Sequence, residues 1–200
     1  MNRFWTADFH LGHYNKNGGI IAYCNRPFRN LAHMNAALIK EANMRVKPED
    51  TGIHVGDFCV RSSNEKFAAW REQLHGKWVF TRGNHDKNNG VRTACTSMFV
   101  RMAHFQVFVS HIPFFYEDFF PVELREYVVK YCDFALCGHV HEKWADRVEG
   151  IPVLNVGVDV RKYRPISDDE LCVEYLKIKR EGNHGKHQTP RRDMHPPHIL

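Results

Sequence analysis

Residues 51–86 read TGIHVGDFCVRSSNEKFAAWREQLHGKWVFTRGNHD, and their pattern decides the fold class. Thr51 to Val55 is a short apolar run that stops at Gly56-Asp57, and Lys77 to Thr81 is a second run that stops at Gly83-Asn84-His85-Asp86. Between them, Asn64 to about Leu74 has the character of a helix. Strand, helix and strand in this order mark an α/β chain, and each strand hands polar side chains to the turn after it.

The pattern continues on both sides. Upstream, Leu31, Met34, Ala37, Leu38 and Ala42 recur at helical spacing across Leu31 to Val46, with Asn30 placed as N-cap and Pro48 beyond the end. Arg3 to Ala7 is an apolar run ending at Asp8. Downstream, Phe105 to Ser110 delivers His111, Val122 to Lys130 is compatible with a helix, and Phe134 to Cys137 delivers Gly138-His139-Val140-His141. Ile151 to Val156 and Leu171 to Ile178 read as further strands that close the sheet, because their apolar residues are dense or alternate.

A chain of 200 residues favours a single domain, here residues 1–180. Residues 181–200, EGNHGKHQTPRRDMHPPHIL, hold three prolines and two glycines with little apolar content, so a disordered tail is expected there. Hydrophobic residues make up 43% of the chain and aromatics 12%, enough for a packed interior. No apolar stretch approaches the roughly 18 residues of a membrane span, and the start lacks the long apolar core of a secretory signal. A cytoplasmic protein with no membrane partner is expected. Six cysteines without a CxxC pair read as small buried hydrophobes rather than as a zinc knuckle or a disulfide framework. The net charge of +5 suits an anionic substrate but is too small and dispersed to argue by itself for nucleic-acid binding.

The 14 histidines are the unusual count, and their positions carry the chemistry. Five separated segments place metal-binding side chains directly after strand ends: Asp8-Phe9-His10, Gly56-Asp57, Gly83 to Asp86, His111, and Gly138 to His141. Open α/β sheets bind ligands at the carboxyl ends of their strands. Seen alone, a Gly-Asp is usually a turn and a lone histidine a core or surface residue. In this order, each after an apolar run, they point to a metal site. Mixed nitrogen and oxygen donors suit Mn, Fe or Zn better than Ca or an all-oxygen Mg site.

These motifs, D-x-H, G-D, G-N-H-D, H and G-H-x-H, resemble the calcineurin-like metallophosphoesterase superfamily. The segments HLGHYN, YCNRPF and NVGVDVRKYRPIS are similar to its small bacterial and phage branch. The resemblance implies a β-sandwich core flanked by helices and two divalent ions. By similarity, Asp8, His10 and His141 hold one ion, Asn84, His111 and His139 hold the other, and Asp57 bridges them. Manganese is the expected metal, with Fe, Zn, Ni and Mg as alternatives. His85 looks like the histidine that meets the phosphate or leaving oxygen without binding an ion, with Asp86 orienting it.

The function implied is hydrolysis of a phosphate ester. Two ions roughly 3.5 to 4 Å apart can share a bridging water, lower its pKa and present hydroxide to phosphorus in line with the leaving group. A phosphodiesterase acting on a nucleotide or nucleic-acid-like substrate is the favoured form. The alternatives are a phosphomonoesterase and a non-catalytic protein-binding scaffold, although a scaffold would be expected to lose ligands. His13, Arg26 and Arg61 are candidates for holding the substrate, with Asn15 nearby. The aromatic stretch Phe114-Phe115-Tyr116 with Phe119-Phe120 could wall the site, stack on a base, form a lid or support a homo-oligomer.

Overall fold

The computed structural model describes residues 1–142 and 145–182. Among the described residues, nine strands occur in chain order: β1 (Arg3–Thr6), β2 (Thr51–Val55), β3 (Lys77–Thr81), β4 (Ser97–Met102), β5 (Phe105–Ser110), β6 (Phe134–Cys137), β7 (Ala145–Val148), β8 (Ile151–Asn155) and β9 (Ile166–Ser167). The helices are α1 (Gly19–Tyr23), α2 (Leu31–Arg45), α3 (Asn64–Glu72), α4 (Val122–Tyr131) and α5 (Asp168–Gly182). One sheet has the order β3-β2-β1-β9 and the other β4-β5-β6-β8-β7. Strands β1, β2 and β3 run parallel, as do β5, β6 and β8, while β9, β4 and β7 are antiparallel edges. The expected α/β class is observed, with two sheets flanked by helices.

Alternation along the strands explains the layering, since successive side chains point to opposite faces. On β1 and β2, Trp5, Ile53 and Val55 face Val107, Val109, Phe134, Leu136 and Leu154 of the second sheet, forming the core between the sheets. The opposite faces are covered by helices. Phe4 and Phe80 pack with Met34, Leu38 and Ala42 of α2 and Phe67 of α3. Phe108, Ala135 and Val153 pack with Val128 of α4. The Asn30 side chain caps α2 by accepting from the His33 amide at 2.9 Å, and Ser63 caps α3 in the same way at 3.4 Å.

One expected strand is a helix. Leu171 to Ile178 lies within α5, and the apolar side chains it buries or half-buries against the inter-sheet core are Leu171, Cys172, Tyr175 and Ile178, at helical spacing. The alternation was misleading because Val173 is 68% exposed. The decisive local signal is Ser167-x-x-Glu170. Glu170 Oε2 accepts from the Ser167 amide at 2.8 Å and Ser167 Oγ accepts from the Glu170 amide at 3.3 Å, a capping box that starts a helix. Helix α5 also includes Glu181 and Gly182, the first two residues of the expected tail. Residues 183–200 lie outside the described residues. No helix of the described residues is long and apolar enough to cross a membrane. All six cysteines are free, four buried and two half-buried.

Candidate metal centre

Five turns meet where β1, β2, β3, β5 and β6 end, and backbone hydrogen bonds tie them together. The Asp8 amide donates to the Gly56 carbonyl at 3.1 Å, the His10 amide to the Asp57 carbonyl at 2.9 Å, and the Gly138 amide to the His111 carbonyl at 3.0 Å. Glycine permits this closeness. A Cβ on Gly138 would stand 2.7 Å from both Ala7 Cβ and Asp8 Oδ2, and a Cβ on Gly83 would overlap the Asp57 carboxylate.

Strain marks the same residues. Asp8 (φ 61°), His10 (53°), Asp57 (58°), His139 (69°) and His141 (39°) all hold left-handed backbone, which is uncommon for residues with a side chain. Five of the seven expected ligands therefore persist in a costly conformation, and such strain clusters where the surrounding structure fixes a site.

The donor atoms converge. Asn84 Oδ1 lies 3.1 Å from His111 Nε2 and 3.0 Å from His139 Nδ1. His111 Nε2 is 3.1 Å from Asp57 Oδ2, while His10 Nε2 is 3.5 Å from Asp57 Oδ2 and 3.7 Å from Asp8 Oδ1. Metal bonds of about 2.0 to 2.2 Å put two ligands of one ion roughly 3 Å or slightly more apart, so these spacings suit shared ions. Asp8, His10 and His141 form one group with donor atoms within 4.8 Å of one another, and Asp8, Asp57 and His111 form another. His10 Nε2 provides the strongest test of fit. It is buried without a hydrogen-bond partner and faces two carboxylates, a position that a cation would satisfy.

Neighbours orient the rings. His111 Nδ1 is 2.8 Å from the Val55 carbonyl oxygen, which can only accept, so Nδ1 carries a proton and Nε2 faces the centre. Burial pushes the Asp8 and Asp57 carboxyls up, but His141 beside Asp8 and His111 beside Asp57 more than offset this and hold both well below the usual carboxylate range. Burial opposes charge on His111 and His141 too, yet Asp57 raises His111 to about 9 and Asp8 with Asp159 raises His141 to about 11. Burial lowers His10 and His139 to about 4, leaving them neutral. Each raised histidine thus lies beside a carboxylate that it holds down. Metal ligation requires neutral imidazoles, so loading would displace their extra protons.

The remaining expected residues fall in different places. His85 is half-buried, its ring edge-on to His10 at 5.2 Å, and its amide donates to Asp57 Oδ1 at 2.9 Å. His85, His10 and Asp57 also form a group with donor atoms within 4.8 Å. Asp86 does not reach toward that ring through any hydrogen bond among the described residues. Its Oδ2 accepts from the amides of Asp57 and Gly83, each at 2.8 Å, and so ties the turns after β2 and β3 together. His13 stacks on His10 at 5.3 Å, and burial lowers it to about 4. Arg26 points away from any substrate, because its guanidinium is directed at Asp159 and at the carbonyls of Asp8 and Phe9. Arg61 is exposed and makes no hydrogen bond or ion pair with a described residue. Asn15 shapes its own loop by accepting from the amides of Asn17 and Gly19.

Three further residues join the site, Tyr116 from the aromatic stretch expected to wall it, and Asp159 and Tyr23 from segments whose role was not legible in sequence. Asp159 Oδ2 accepts from His141 Nδ1 at 2.8 Å. It follows a strand-ending Asn155-Val156-Gly157 and repeats the delivery pattern that flagged the expected ligands. Tyr23, 47% exposed at the end of α1, lies edge-on to His141 at 6.0 Å. Tyr116 lies edge-on to His139 at 6.2 Å and stacks on Phe115. Phe114 is buried, so only part of that aromatic stretch faces the centre.

Comparison with known proteins gives a family and a fold likeness. The family model described as the calcineurin-like phosphoesterase superfamily domain matches residues 32–173, a stretch that begins after Asp8 and His10. An uncharacterized protein of Methanocaldococcus jannaschii is 31% identical over 187 residues, covering 90% of this chain and 96% of the relative. The crystal structure of a protein of unknown function from Aquifex aeolicus superposes with a TM-score of 0.63 at 23% identity, covering 86% of this chain and 98% of that one, a likeness of fold.

Proposed function

We propose that this chain, which belongs to the calcineurin-like phosphoesterase superfamily, hydrolyses phosphodiesters of nucleotide type at two divalent ions. The observation that carries this reading is the convergence of seven candidate ligand side chains, five of them in left-handed backbone and one of them, His10, with a buried ring nitrogen that lacks a hydrogen-bond partner. Asp8, His10 and His141 would hold one ion and Asn84, His111 and His139 the other, with Asp57 between them. Manganese suits the mixed imidazole and carboxylate donors. When bound, such a pair activates water and neutralises phosphoryl oxygens.

The chain's own groups supply the rest. His85 is half-buried beside His10, where it can give a proton to the leaving oxygen or a hydrogen bond to a non-bridging one. Asp86 acts on it indirectly by fixing the backbone of Gly83 and Asp57. His13 backs His10 by stacking on its ring.

Two features favour a diester over a monoester. A monoester brings a second negative charge, and Arg26, the buried guanidinium among the described residues, is already paired with Asp159. Tyr23 and Tyr116 flank the centre beside His141 and His139, where aromatic rings can stack on groups either side of a phosphodiester. With Mn²⁺, a chromogenic aryl diester is expected to be cleaved with kcat/KM at least about tenfold above the matching monoester, a transition-state difference of about 1.4 kcal/mol. A monoester preference in that assay, extended to cyclic nucleotides and short DNA or RNA, would overturn the substrate assignment.

A further inference from the structure

Arg26 and Asp159 are 133 residues apart and meet under the metal ligands. Arg26 Nε donates to Asp159 Oδ1 and Nη2 to Oδ2, each at 2.8 Å, in a two-pronged grip. The same guanidinium donates to the carbonyls of Asp8 at 2.7 Å and Phe9 at 3.0 Å. On its other side, Asp159 Oδ2 accepts from His141 Nδ1 at 2.8 Å. One buried cation therefore joins the backbone that carries Asp8 to the ring of His141.

Such a pair is an odd choice for stability alone. Both side chains are almost fully buried, at 0% and 5% exposure, and desolvation offsets much of the attraction in a buried ion pair. The arrangement makes sense as control of geometry. A carboxylate on Nδ1 fixes the proton there and leaves Nε2 of His141 for an ion. Lysine could not replace Arg26, because a point charge cannot grip a carboxylate and two carbonyls in one plane.

Cys24, His141 and Asp159 also have donor atoms within 4.8 Å of one another, as a third ion site would need. Both Asp159 oxygens, however, already accept hydrogen bonds from Arg26 or His141. The carboxylate is thus occupied as an orienting group.

We infer that Arg26 and Asp159 are positioning residues of the centre, setting the tautomer of His141 and the seat of Asp8 and thereby the occupancy of the Asp8–His10–His141 site. This rests on the metal-site reading above, and its readouts do not depend on turnover. In Asp159→Asn, either placement of the amide sets its NH₂ against an N–H of Arg26, because Nε and Nη2 donate to different oxygens of Asp159. The two-pronged grip is lost together with the charge that faces His141 Nδ1.

The test combines Mn²⁺ binding isotherms with the ¹H–¹⁵N spectrum of the Zn²⁺-loaded protein. Wild type is expected to show two ions and a hydrogen-bonded Nδ1–H on His141. Asp159→Asn should bind one ion as wild type does and the other about 10- to 100-fold more weakly, the usual cost of losing such a partner. Because Asp159→Asn can leave Arg26 poorly paired, Arg26→Met with Asp159→Asn gives a charge-balanced second variant, with folding followed by circular dichroism and the same isotherm expected. A folded variant with two unweakened ions would overturn the inference, as would a wild-type His141 that carries its proton on Nε2. Wild type with no ion at all would instead remove the metal reading beneath it.

Discussion

Asp57→Asn is expected to lower kcat/KM by about 10³-fold or more, beyond the usual cost of deleting a single charge-stabilising group, and to weaken uptake of both ions. Its Oδ2 is 3.1 Å from His111 Nε2 and 3.5 Å from His10 Nε2, so one oxygen stands between donors from both proposed sets. Asparagine keeps the volume and is among the residues that accept the φ of 58°, which makes the loss a readout of charge rather than of folding. His141→Asn touches one set only and should empty one site. Equilibrium dialysis against Mn²⁺, with kinetics on a chromogenic diester, separates the two patterns. Wild-type affinity for both ions in Asp57→Asn would remove its bridging role.

His85→Ala should retain both ions and the fold while kcat falls by roughly 10² to 10⁴, the range for a general acid or base. Its ring lies 5.2 Å from His10 and 5.8 Å from His13, within reach of a phosphate held at the centre. The loss should shrink when the leaving group is a nitrophenol, since that oxygen departs without a proton. A loss independent of leaving group would assign His85 to the non-bridging oxygens instead. Because His85, His10 and Asp57 have donor atoms close enough to share an ion, loss of a metal in His85→Ala is the outcome that refutes a non-ligating role.

The strands were legible where a short apolar run ended in a polar turn, as for β2, β3, β5 and β6, whose limits match those read from sequence. Burial on both faces makes such runs continuous in parallel strands, and the C-terminal turn then has to carry the chemistry. Helix α5 was misread because Leu171, Val173 and Tyr175 alternate, although Val173 faces solvent and the capping box at Ser167 outweighs the alternation. Edge strand β4 and short helix α1 escaped notice, since an exposed edge with Phe99 and Arg101 outward and a five-residue helix carry little periodicity.

The same contrast holds in the site. Candidate ligands could be found locally because each follows its strand by one to a few residues. The support beneath them could not, since Arg26 and Asp159 find each other only through the packing of α1 and the loop after β8 against the Asp8 turn. Arg26 was accordingly read as a substrate contact, whereas its fork is directed inward. Asp86 was assigned to His85, while its carboxylate instead holds two backbone amides.

Whether Asp57 bridges a pair of ions is decided by stripping the protein with chelator, reloading it with Mn²⁺ and measuring metal content together with the electron paramagnetic resonance spectrum. The expected result is two ions per chain with the spectrum of an exchange-coupled pair, which only a shared bridge at short distance produces. One ion at saturation, or two magnetically isolated ions, would contradict that bridge.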